Sequence, residues 1–182
     1  IGIYMVNKQY LQTLVKNIGN RYFDRENFSV SDSGTLDWLK EKAKTSTETE
    51  AINILSMLLK TGKPNPIDLQ MALLNHPSEK VKITTLQQVD HESYPALAIY
   101  VLPFLKPDKS PKLIAETIKL MCRNNADSQL ILTYLGNKDP EIRQAALSGL
   151  FYYGTGEFKT MAISVLQKMI TSTNVNERIT AA

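Results

Sequence analysis

The sequence predicts an all-helical chain assembled from repeated pairs of antiparallel helices. Three observations lead there. Apolar residues recur at three- and four-residue spacing along most of the chain, the period of a helix with one buried face. The segments between these patterns are short and rich in helix-ending Gly or Pro, as in "TGKPNP", "KPDKSP", "GNKDP" and "GTGE". One helix start, "NKDPEIRQAALSGL" at 137–150, has counterparts at regular intervals. No two-residue turn flanked by alternating apolar residues occurs, so strands are not needed.

In that stretch Asp139 can accept from free amides of the first turn. Pro140 lacks an N–H that would need a partner, and Glu141 suits the positive helix end. Ile142, Ala145, Ala146, Gly149 and Leu150 then share one face, and their small size permits close approach by a neighbouring helix. Ser110 and Pro111 open a second such helix, "HPSEKVKITTLQQV" supplies a third, and Thr47 with Glu50 forms a capping box for a fourth. Taking Glu50, Lys82, Ile114, Arg143 and Arg178 as reference points, the steps are 32, 32, 29 and 35 residues, which marks a repeat. Intervening apolar segments at 35–44, 66–76, 95–105, 127–136 and 157–170 supply the first helix of each pair. The predicted organisation is an N-terminal helix (4–23) with a polar linker, together residues 1–33, followed at 34–182 by about four and a half hairpins, the last truncated. A single hairpin cannot bury its apolar face alone, so neighbours must stack.

Composition excludes several classes. Net charge is +3 and spread out, with residues 101–150 tilting basic by seven against five, too little for a nucleic-acid footprint. Cys122 is the only cysteine; with no internal disulfide to form, the cytoplasm is the default compartment, and an apolar helical setting makes it a small core residue. The longest apolar run, "YPALAIYVLPFL", holds two prolines; it is too short to cross a bilayer and reads as a buried helix. The first residue is not Met and the chain ends in "NVNERITAA", so a segment of a longer protein is expected.

The residues "DPEIRQAAL" resemble the second helix of a HEAT repeat, with Asp139 and Pro140 at the turn, Ile142 in the Val position, Arg143 in the Arg position, then Ala145, Ala146 and Leu147. "HPSEKVKITTL" is a looser match, through Val81 and Lys82. The resemblance spans roughly residues 34–182 and implies an armadillo-type right-handed alpha-alpha superhelix, a HEAT-like solenoid. It implies a structural role for Asp139, Pro140 and Arg143, because in the family the Asp and Arg commonly link adjacent turns. It also implies that the outer faces of second helices line a concave surface.

On that surface Lys112, Glu116, Lys119 and Arg123 follow at four, three and four residues, forming one stripe. Gln87, Gln88, Gln144, Phe151 and Tyr152 lie on neighbouring rows, the aromatics being plausible anchors. Catalytic chemistry is not expected. His76 and His91 fall in separate turns without a second ligand at helical spacing, and no phosphate loop or Ser elbow is present. HEAT-like DNA glycosylases place aromatics and an Asp around a base, but here Asp37 and Trp38 lie among packing residues Leu36 and Leu39. The expected function is therefore a non-catalytic interaction or scaffold module without cofactor or metal, binding a protein or another domain of the same chain. Two alternatives follow from the same resemblance: a nucleic-acid-binding or DNA-repair protein, and a soluble regulatory domain of a nucleotide-transporter-type membrane protein, which would place this segment on the cytosolic side without inserting into the bilayer.

Overall fold

The computed structural model describes residues 33–60, 66–173 and 178. The expected N-terminal helix at 4–23, its linker and most of the last half-hairpin lie outside the described residues. Among those described there are nine α-helices, one short 3-10 helix and no strand. They are α1 (Ser33–Thr45), α2 (Glu48–Lys60), α3 (Ile67–Leu74), α4 (Glu79–Gln88), α5 (Tyr94–Val101) with the 3-10 helix Leu102–Leu105, α6 (Pro111–Arg123), α7 (Ser128–Leu132), α8 (Pro140–Tyr153) and α9 (Gly156–Ile170). The chain divides into two compact units with the boundary between Thr85 and Leu86, inside α4.

The starts form as the sequence dictates. Glu50 Oε2 accepts from the Thr47 amide at 3.0 Å while Thr47 Oγ1 accepts from the Glu50 amide at 3.4 Å, the reciprocal capping box. Ser110 Oγ accepts from the Leu113 amide at 3.2 Å, and Asp139 Oδ1 from the amides of Glu141 and Ile142 at 2.9 and 3.3 Å.

In the first unit, α1 packs against α3 and α2. Leu39, Ala43, Ala51, Ile54, Leu55, Leu69, Leu73 and Val81 form its core, with Trp38 half-buried against it. Asp37 instead faces solvent, paired with Lys40 at 3.3 Å. Polar ties close the turns. Ser78 donates its amide to His76 Nδ1 at 3.0 Å, which leaves the proton on Nε2, 2.9 Å from the Ser46 carbonyl. Ser78 Oγ donates to Glu48 at 2.7 Å.

The Thr47 amide, with Lys42 beside it, holds the Glu50 carboxyl below the usual carboxylate range. A depressed folded-state value contributes stability that is present above the unfolded-state value and lost as pH falls through the folded one. Glu50→Gln is therefore expected to be less stable than the parent at neutral pH and to converge with it in acid, measured by urea midpoints from pH 7 to pH 2; parallel curves would contradict the linkage.

In the second unit, α6 packs most extensively against α8, and α8 against α9. Two segments depart from expectation. The 127–136 segment is helical only to Leu132. Thr133, Tyr134 and Leu135 then donate their amides to Leu130, Ile131 and Leu132, three-residue bonds that tighten and end the helix. The apolar run at 94–105 was expected to be buried, yet only Tyr94, Leu97, Val101 and Phe104 are, while Pro95, Ala96, Ile99, Leu102 and Pro103 are exposed. The four buried positions recur at three- and four-residue spacing, and Pro103, lacking an amide proton, coincides with the change to a 3-10 turn.

Candidate interaction surface

Helix α6 is enclosed on nearly every side. Leu113, Ile114, Ala115, Thr117, Ile118, Leu120, Met121 and Cys122 are all buried. What remains at the surface besides Pro111 is the stripe read from the sequence. Lys112, Lys119 and Arg123 are exposed, and Glu116 lies half-buried between them. Lys119 Nζ pairs with Glu116 at 2.9 Å, and Arg123 Nη2 donates to the Leu86 carbonyl at 3.1 Å. Arg123 thus brings the end of α4, with exposed Gln87 and half-buried Gln88, to one end of the stripe.

The α8 candidates form a second row. Gln144 is exposed and Tyr152 is 72% exposed. Phe151 is half-buried, with the Tyr152 ring edge-on at 5.2 Å and Lys159 Nζ 5.8 Å from its centroid. Packing joins this row to α6, but among the described residues no hydrogen bond or ion pair links Gln144 or Tyr152 to the lysine stripe. Tyr153 is also exposed.

The turn residues act locally. Asp139 caps α8, Pro140 is its first residue, and Arg143 Nη1 donates to the Asn137 carbonyl at 2.9 Å. The Asp139 amide donates to Asn137 Oδ1 at 2.9 Å, so among the described residues the bonds of Asp139 and Arg143 tie one turn. Arg143 Nε is buried without a partner. Arg178 Nη1 repeats the contact on the Ser172 carbonyl at 2.7 Å, again six residues back.

Sequence reasoning missed the ties through His76 and Glu48, because side chains that meet across about thirty residues carry no local pattern. It also missed the pairing of His91 Nδ1 with Asn124 Oδ1 at 2.9 Å. Among the described residues no group of three metal-ligating side chains occurs and no helix is long and apolar enough to cross a membrane.

Cys122 sits behind the stripe, against α8, where burial pushes its thiol up to about 12. Thiolate is the reactive form. Native protein is therefore expected to resist a soluble aromatic disulfide reagent near neutral pH and to react once unfolded in urea; fast native labelling would contradict this packing.

The fold and the exposed rows define an all-α protein with a candidate binding surface. Comparison with protein-family models, with curated proteins and with solved structures gave no match.

Proposed function

We propose that this chain is a HEAT-like helical-repeat module acting without catalysis as an interaction scaffold on the cytosolic side. Two patterns support repeat architecture. Like helices pack on like helices one repeat apart: α1 on α3, α6 on α8 and α7 on α9. Side-chain ties also step about one repeat. Lys40 to Asp68 spans 28 residues, Ser46 to His76 spans 30, Leu105 to Tyr134 spans 29 and Leu86 to Arg123 spans 37.

The observation that carries the binding role is the enclosure of α6 around a single exposed face bearing Lys112, Lys119 and Arg123. A rigid helix whose only free side is cationic and polar presents a pre-ordered surface, which reduces the entropy lost on association. The proposed partner is a protein or another domain of the same polypeptide, meeting this stripe together with Gln87, Gln88, Gln144 and Tyr152.

The test combines Lys112→Ala, Lys119→Ala and Arg123→Ala. Capture of partners from extracts of the source cells should fall, with helicity unchanged by circular dichroism. Lys112→Glu alone, which leaves both the Lys119–Glu116 pair and the Arg123–Leu86 bond intact, should do the same without a change in melting. Unchanged capture by both variants removes the stripe from the binding surface. Added duplex DNA should have little effect; tight binding that falls steeply with salt would replace this reading with a nucleic-acid one.

A further inference from the structure

The open face of α6 holds more hydrogen-bond donors than acceptors. Among the described residues Lys112 and Arg123 form no ion pair with a carboxylate. Lys119 directs one of its three N–H bonds to Glu116 at 2.9 Å. Arg123 gives one of its five to the Leu86 carbonyl, which fixes the guanidinium but, being uncharged, leaves its charge unbalanced. Glu116 is the only carboxylate on the stripe, and its side chain is 13% exposed. Three cations thus stand beside one half-buried anion, and the donors that remain suit a ligand with negative acceptor oxygens.

Spacing narrows the class of ligand. Lys119 lies seven residues after Lys112, and Arg123 four further on, so along the helix axis the three positions span roughly 16 Å. Glu116 falls between Lys112 and Lys119. A nucleic-acid backbone or an anionic lipid surface carries closely spaced charge throughout and would set a phosphate against that carboxylate. A peptide can place carboxylates at the two ends and leave its middle neutral.

We infer that the partner meets this stripe with an acidic peptide segment, an inference that rests on the stripe being the binding surface. One carboxylate sits on the planar fork of Arg123 and another on Lys112, while the Lys119–Glu116 pair stays closed. Arg123 suits the first role because its tie to Leu86 already holds it in place, and a guanidinium matches a carboxylate through two parallel bonds. Exposed Gln87, beside Leu86 at the Arg123 end, can bond main-chain groups of the same segment. Both ion pairs lie at the surface, so they set the register and rate of docking more than its strength.

Fluorescence anisotropy with a short labelled polyglutamate peptide at low salt tests this. The peptide should bind, and a polyglutamine peptide of the same length should not. Lys112→Ala and Arg123→Gln should each weaken binding by roughly twofold to fivefold. Lys168→Ala, an exposed cation on α9, should leave it unchanged, which separates the stripe from general attraction to a basic protein. No binding, or binding indifferent to Lys112→Ala and Arg123→Gln, overturns the acidic assignment. If capture of partners still falls in the stripe variants, the surface stands and only the chemistry given to its partner is wrong. Tighter binding of duplex RNA or phosphatidylserine vesicles than of polyglutamate, lost in the same variants, overturns the assignment as well.

Discussion

Replacing Gly149 with valine should destabilise the second unit by about the upper part of the 1–3 kcal/mol typical of overpacking. Helix propensity argues the other way, because glycine inside a helix costs roughly 0.5–1 kcal/mol relative to alanine. Packing decides the sign. A Cβ at Gly149 would meet Cys122 Sγ and lie 2.8 Å from Cys122 Cβ. A cysteine side chain has one rotatable bond, and turning it moves only the sulfur, so α6 or α8 must shift. Gly149→Ala should show the same sign at smaller size, with propensity offsetting part of the clash. Urea melts of Gly149→Ala, Cys122→Gly and the pair give the coupling directly: the pair should be more stable than the single effects add up to. A Gly149→Val melt equal to the parent's would mean that the two helices are not in contact here.

The second large effect is expected at Arg143. A hydrogen bond from a charged donor contributes roughly 1.5–3 kcal/mol, and Arg143 Nη1 makes one to the Asn137 carbonyl. Against it stands the buried Nε without a partner, which costs free energy in the parent and is relieved on substitution. Arg143→Ala loses both, and also the packing of the long stem, so a net loss of about 1–2 kcal/mol is expected. Arg143→Met keeps the stem and should lose less. Urea midpoints of the three proteins separate the terms. If alanine equals the parent, the turn tie contributes nothing net; if methionine exceeds it, the unpaired Nε outweighs the tie.

Much of this architecture was legible because its causes are local. Asp139, Ser110 and the Thr47–Glu50 pair announce helix starts by hydrogen bonds reaching two or three residues, and those bonds are present. The buried face of α8 was visible in the spacing of Ile142, Ala145, Ala146, Gly149 and Leu150, all of them buried. Helix ends were harder. Helix α6 stops where Asn125 takes a left-handed backbone, φ 51, and the Ala126 amide reaches back to the Met121 carbonyl at 2.9 Å. Asparagine does this less often than glycine, so the signal is weak. The fate of "YPALAIYVLPFL" was illegible for another reason. A segment apolar all round does not disclose which side will have a neighbour. For the stripe, the four positions could be placed on one face, but whether that face was enclosed depended on α8 and on Leu86, both distant in sequence.

The reach of the side-chain ties has a consequence for how the chain folds. Each of the bonds joining Ser46 to His76, Leu105 to Tyr134 and Leu86 to Arg123 closes a loop of 29 to 37 residues. Closure entropy grows only with the logarithm of loop length, and topologies dominated by short closures fold quickly. Within each unit, then, two helices can complete their tie as soon as both have formed, and ordering can spread from whichever packed pair forms first. Damage should spread the same way: a lesion such as Gly149→Val is expected to loosen α6, α8 and the elements packed on them within the second unit.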